Sequence, residues 1–236
     1  LVFLLNGRKN RRFLCKFAAV GHNEIMSMKE KLIPRRWNEW KDPDGFGITK
    51  SNGLRVRYKI IMSLSDERPL NPLIAVGLNP CGKTVDGNIS RTTGKLCKIA
   101  DNNSDRLGNE YDGLVIVNLC PIVTNSASGL KDYCGDIKDA VHSDNMEQIR
   151  KVAEQYKNSD VLLCFGRAIV RQHLVGYLRD IYNVLFNMDR KFLRIHVNRP
   201  DDKQPLNPPH PARLPSNVRL ERFNVQRYIN ETFYGG

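Results

Sequence analysis

The stretch "LNPPHPARLP" (206–215) sets a single histidine, His210, between prolines. Proline fixes φ and removes a backbone donor, so this segment is neither helix interior nor central strand. It is either a stiff loop holding an imidazole still beside a ligand, or a Pro-rich tether in which the histidine is incidental. A second polar segment, "GLNPCGKTVDGNISRT" (77–92), carries Cys81, Lys83, Asp86, Ser90 and Arg91. Asp86 is a carboxylate that can act as a base, or close an Asx-turn in "VDGN". Lys83 and Arg91 lie beside a helix start at Ser90, where cations and a helix N-terminus together suit a phosphate; either can equally be solvated surface charge. Cys81 paired with His210 would allow covalent acyl or glycosyl transfer, against the commoner reading of a buried cysteine.

Positioning these groups requires a frame. Four β-branched, apolar runs recur along the chain: "LIAVGL" (73–78), "GLVIVNL" (113–119), "VLLCFG" (161–166) and "FLRIHV" (192–197). The first three are nearly continuous, as in strands buried on both faces of a parallel sheet. Helical segments are predicted between them over 89–102, 137–157 and 167–183, the last with Ile169, His173, Leu174 and Leu178 on one stripe. Alternating β and α elements predict a three-layer α/β/α sandwich. We expect four parallel core strands in the spatial order 2-1-3-4, wrapped by terminal helical segments. The tail offers Ser216 or Asn217 as N-cap of a final surface helix. Upstream, "GLRVRYKIIMSLS" alternates Val56, Tyr58 and Ile60 with Arg55, Arg57 and Lys59, predicting a half-exposed strand with a basic outer face. Trp37 and Trp40 either anchor a helix to the core or stack on bases. Ligands of open α/β sheets sit beyond the carboxyl ends of the strands. Three polar loops fall there: 77–92, "VNLCPIVTNS" (117–126) and the histidine loop.

Composition narrows the partners. The 236 residues suffice for one large α/β domain, and 41% hydrophobic with 26% charged residues is ordinary for a globular protein. The net charge of +12 is not; residues 1–25 hold five Lys/Arg against Glu24, and the rest of the chain keeps +8. That excess favours a polyanion, DNA before RNA, over a membrane, because no basic amphipathic helix or lipidation signal is present. Residues 1–25 read as a basic extension outside the core, since "MSMKEK" begins at Met26, and 26–236 as a single α/β domain. No apolar run reaches the ~18 residues that span a bilayer. The six cysteines show no C-x-x-C pair and no zinc spacing, which suits a reducing compartment, the cytoplasm or a eukaryotic nucleus, and indicates neither metal nor cofactor. A monomer is expected.

"GLNPCGKTVDGNISRT", "VNLCPIVT", Asp144-Asn145, "CFG" and the final "HP" resemble the domain-of-unknown-function 1643 family over roughly residues 55–215. Cys81-Gly82 and Phe165 depart from that family's usual residues. The order of motifs is also similar to the uracil-DNA glycosylase superfamily: Gly77-Leu78-Asn79-Pro80 resembles its first-strand loop, Val115–Asn118 its second strand end, and His210-Pro211 its late histidine loop. This second resemblance implies a glycosylase-like sheet of four parallel strands with a base pocket at their carboxyl ends. It also implies hydrolysis of an N-glycosidic bond to a pyrimidine, modified or not, through an oxocarbenium-like sugar and an anionic leaving base. His210 would then stabilise the base and Asn118 read its edge, unless Asn118 merely orders the turn that follows. Asn79 stands where the superfamily has an aspartate; an amide can hold water but cannot take its proton, which leaves Asp86 as base or partner to the sugar cation. Gly77, Leu78, Pro80 and Pro211 would shape the pocket, with Ser90, Arg91 and Lys83 toward phosphate. The loss of that aspartate also admits a non-catalytic module that keeps the pocket to bind nucleic acid or nucleotide.

Overall fold

A computed structural model describes residues 37–41, 49–51, 54–81, 89–104, 110–132, 135–171, 173–186, 190–198 and 206–233. The basic extension over 1–25 lies outside the described residues. The strands are β1 (Asn38–Glu39), β2 (Thr49–Ser51), β3 (Leu54–Val56), β4 (Lys59–Ser63), β5 (Pro72–Gly77), β6 (Gly113–Asn118), β7 (Val161–Leu163), β8 (Phe192–Ile195) and β9 (Leu220–Arg222). The helices are α1 (Arg91–Ser104), α2 (Gly135–Gln155), α3 (Ala168–Arg171), α4 (Val175–Phe186) and α5 (Val225–Phe233).

Seven strands form one mixed sheet in the order β1-β4-β6-β5-β7-β8-β9, and β2-β3 make a separate ribbon. The four long apolar runs are its centre, where β6, β5, β7 and β8 pair in parallel in that order. The expectation of four strands is corrected to seven: β4 adds antiparallel to β6, β1 to β4, and β9 to β8. Alternation along β5 sends Ile74 and Val76 to one face and Leu73 and Ala75 to the other. The first face packs on α2, α4 and α5 through residues such as Ile149, Leu178 and Tyr228; the second packs on α1 through Leu96, Ile99 and Ala100. Helices therefore cover both faces.

Several local expectations need correction. The basic outer face shrinks to Arg55, which is exposed, because Arg57 and Lys59 are buried. Position 59 lies in β4, whose residues are all buried, so neither of its faces meets solvent. Loss of water pushes the Arg57 guanidinium pKa down, against the pull of Glu39. The helix predicted over 167–183 is two helices. His173 adopts a positive φ of 55° between them and is exposed, outside the stripe that Ile169, Leu174 and Leu178 bury. The final helix is capped by Asn224, whose Oδ1 accepts the Arg227 N–H at 2.9 Å, rather than by Ser216 or Asn217. Residues 220–222 form an edge strand first, and α5 buries Val225, Tyr228 and Ile229. Trp37 and Trp40 flank β1 instead of sitting on a helix. Trp37 Nε1 donates to Asp101 at 2.9 Å, and Arg68 lies 5.7 Å over the Trp40 ring.

The two ends of the sheet differ in chemistry. At the amino end of β5 and β6, the Asp112 carboxylate accepts the N–H groups of Leu70 and Asn71 at 2.7 and 2.8 Å. Tyr111 donates its hydroxyl to Asp160 at 2.8 Å in a fully buried contact. Among the described residues, no helix is long and apolar enough to cross a membrane, and no group of three or more His, Cys, Asp or Glu side chains could hold a metal ion.

Candidate functional site at the carboxyl ends of the parallel strands

A pocket of about 730 Å³ opens where β5, β6 and β7 end. The chain past β5 and β6 stays paired beyond the strands proper: Leu119 N–H donates to Gly77 O, Cys120 N–H to Leu78 O, and Thr124 N–H to Pro80 O, at 3.0 to 3.2 Å. These bonds hold two of the three polar loops in fixed register. Of the residues given a role in the sequence, Gly77, Leu78, Asn79, Pro80, Cys81, Ser90, Asn118, His210 and Pro211 come together on the walls. Arg91 does not line the pocket; it is exposed at the first position of α1. Lys83 and Asp86 lie outside the described residues.

Asn118 is the last residue of β6 and only 4% exposed. Its backbone carbonyl accepts Asn145 Nδ2 at 2.9 Å, while its side-chain amide has no hydrogen-bond partner among the described residues. The amide opens to the pocket, so water or a ligand must supply its hydrogen bonds. Gly77 explains how the amide fits: a Cβ there would stand 2.6 Å from Asn118 Oδ1, so only glycine leaves room.

Asn79 is oriented from behind. Its Nδ2 donates to Thr124 Oγ1 at 2.7 Å, and that hydroxyl donates to Ser126 O at 2.6 Å. The relay consumes the donor end of the amide and leaves Oδ1 without a partner among the described residues. Asn79 is thus set to accept from a water or a ligand.

His210 sits at the N-cap of a short 3₁₀ turn, Pro211–Arg213. Its Nδ1 accepts the Ala212 N–H at 3.2 Å, which places the proton of the neutral ring on Nε2. Loss of water around the ring, then the nearby Arg213 charge, hold its pKa below the usual histidine value. The imidazole is therefore a neutral donor near pH 7, although the residue as a whole remains exposed in the open pocket. Two further contacts fix this loop. Gly166, at φ +73°, donates its N–H to Pro208 O at 2.9 Å, and a Cβ on it would stand 3.0 Å from His210 Cβ. From α1, the Lys95 ammonium donates to the carbonyls of Pro211, Ala212 and Leu214.

The walls also carry Arg167, Arg171 and Arg213, and no carboxylate among the described lining residues. Ser90 caps α1, its Oγ accepting the Thr93 N–H at 3.0 Å, and no acidic residue occupies the first turn. Cys81 and Cys164 both face the pocket, yet burial pushes the Cys164 thiol up to about 12, so it is no nucleophile near neutral pH. Sequence reasoning missed Lys95, Gly166 and the three arginines. Gly166 alone left a signal, as the glycine ending "VLLCFG"; a lysine or arginine that turns inward reads the same as one that faces water.

The family described as "Protein of unknown function (DUF1643)" matches residues 57–211, and the chain belongs to it. No curated protein and no solved structure matches the chain.

Proposed function

We propose that the chain recognises a nucleobase and hydrolyses its N-glycosidic bond, on a nucleotide or nucleic acid carrying a pyrimidine or modified pyrimidine. The observation that carries this reading is the unpartnered, buried Asn118 amide sharing a pocket with the neutral Nε2 donor of His210. An amide offers one donor and one acceptor face, the complement of a pyrimidine edge. As the glycosidic bond lengthens, negative charge collects on the leaving base and positive charge on the sugar. A fixed donor such as His210 favours the first of these without reorganising. Asn79, its Nδ2 already tied to Thr124, presents Oδ1 to orient a water. The motif order resembles that of the uracil-DNA glycosylase superfamily, in line with this reading, and the +8 outside the first 25 residues suits a phosphate-bearing substrate.

The test is mass-spectrometric detection of free base after incubation with uracil-containing DNA, damaged DNA and free nucleotides. Release is expected from at least one substrate, with His210→Ala lowering the rate by ~10²–10³ at an intact fold. One observation favours a second reading. The described walls hold no carboxylate to take a proton from water, and a non-catalytic module that binds a nucleotide or nucleic acid needs none. Tight binding without release of base from any substrate would select that module.

A further inference from the structure

The base-recognition reading uses only part of the pocket. At about 730 Å³ the cavity falls within the ~300–1,000 Å³ typical of sites that enclose a whole small molecule. A lone pyrimidine ring leaves most of it empty. What surrounds the remainder is electropositive. Ser90 and Thr92, at the start of α1, face the cavity. The Ser90 cap satisfies the Thr93 N–H, and Gly94 N–H bonds Ser90 O. The N–H groups of Arg91 and Thr92 have no acceptor among the described residues, which leaves the first turn of a 14-residue helix with donors to spare.

Lys95 decides which cation stands beside that turn. It lies one turn farther along α1 and binds three carbonyls of the segment that includes Arg213, which draws this segment onto the helix. Lys95 spends its own ammonium on those carbonyls. Arg213 remains exposed and on the cavity wall, and no carboxylate among the described lining residues neutralises it. Independently of the helix, the Asn118 amide, 4% exposed and without a partner among the described residues, opens into the same cavity. A polar reader and an anion seat thus share one enclosure.

We propose that the ligand is a nucleoside monophosphate, with its phosphate on the first turn of α1 beside Arg213 and its base at Asn118. The base half rests on the reading above; the phosphate half stands on its own contacts. A phosphate oxygen would accept from the Thr92 N–H group and from the Ser90 or Thr92 hydroxyl, with the Arg213 guanidinium supplying a charge-assisted bond.

Calorimetric titration of the full chain tests both halves, at about pH 8 where the imidazole is neutral with or without Arg213. The probes are the common nucleosides, their 5′-monophosphates and ribose 5-phosphate. At least one monophosphate should bind about tenfold or more tightly than its nucleoside, in line with the worth of a bond to a charged group. Arg213→Gln should bring the ratio of monophosphate to nucleoside affinity close to one, its melt confirming the fold. Equal affinities, or a preference that survives Arg213→Gln, would overturn the phosphate seat while nucleoside binding upheld base recognition. If ribose 5-phosphate matches the best nucleotide and Asn118→Ala weakens nothing, the seat stands and base recognition falls. Binding of no probe overturns both.

Discussion

Gly166 and His210 touch backbone to side chain: a Cβ on Gly166 would stand 3.0 Å from the Cβ of His210. The glycine also holds φ at +73°, a region costly for any residue with a Cβ. Gly166→Ala should therefore lose about 1–2 kcal/mol from backbone strain alone. For a chain of this length that lowers Tm by roughly 2–8 °C. The Ala variant should also weaken ligand binding, because the loop that aims His210 must retreat. A melt and a binding isotherm check both effects; an unchanged melt would mean that the contact is slack.

The depressed pKa of His210 has a defined consequence for stability. Below the ordinary histidine value of about 6.5 the unfolded chain binds the proton more readily than the folded one, so stability rises with pH through the interval between the two pKa values. The contribution is complete above the unfolded value and is lost as pH falls through the folded one. Melts across mildly acidic to neutral pH should show this slope in the wild type and a shallower one in His210→Gln. Arg213→Gln should move the imidazole resonance titration upward, since it removes the second of the two causes.

Asn118 and Asn145 are adjacent asparagines with opposite duties. Asn145 is fully buried and gives its Nδ2 to the carbonyls of Asn118 and Leu119. Asn145→Ala strands both carbonyls and should cost about 1–3 kcal/mol. Asn118→Ala removes an amide that bonds nothing in the described fold, so its stability should stay within about 1 kcal/mol while ligand affinity drops. Paired denaturant melts and titrations separate the two. Equal destabilisation would make Asn118 a scaffold residue.

Four cysteines of known burial sort themselves by reactivity. Burial pushes the thiols of Cys97, Cys120 and Cys164 up to about 12, 11 and 12, leaving almost no thiolate near neutral pH. Cys81 is half-buried on the pocket wall. Peptide mapping after brief alkylation should find Cys81 modified well before these three, and bound nucleotide should slow it. Hydrolysis by water should survive Cys81→Ser, whereas covalent cysteine catalysis should not.

β6, β5 and β7 were legible because burial on both faces forces continuous apolar runs; β4 is buried on both faces too, yet Lys59 breaks the pattern there. The edges were not. β1 and β9 are two and three residues long, too short for any periodicity, and their pairing depends on neighbours distant in sequence. Arg57 and Lys59 misled for a related reason. Their charge argues for solvent, but Lys59 pairs with β6 and Arg57 with the segment just past it, and both are buried. In the site, the asparagines stood out as polar residues at the ends of apolar runs, and the histidine by the prolines on either side of it. Lys95 and Arg213 did not, because only the fold shows which surface cation turns toward carbonyls and which toward a cavity.

The two rims of the sheet imply something about rates. On the amino rim, Asp112 and Asp160 take up backbone and tyrosine donors, and Asp112 alone holds two N–H groups. On the carboxyl rim, the Asn79 relay, the Asn145 prop and the Lys95 clamp all act from behind, so the groups facing the cavity are free without any internal bond being broken. Among the described residues, a ligand arriving there displaces no protein contact made by the Asn118 amide or by Asn79 Oδ1. Association should then be a single step whose observed rate grows linearly with ligand concentration, with no plateau from a slow opening. At the opposite rim the Asp112 carboxylate and the Tyr111–Asp160 pair are already bonded, so a molecule pairing with them would first have to displace those contacts.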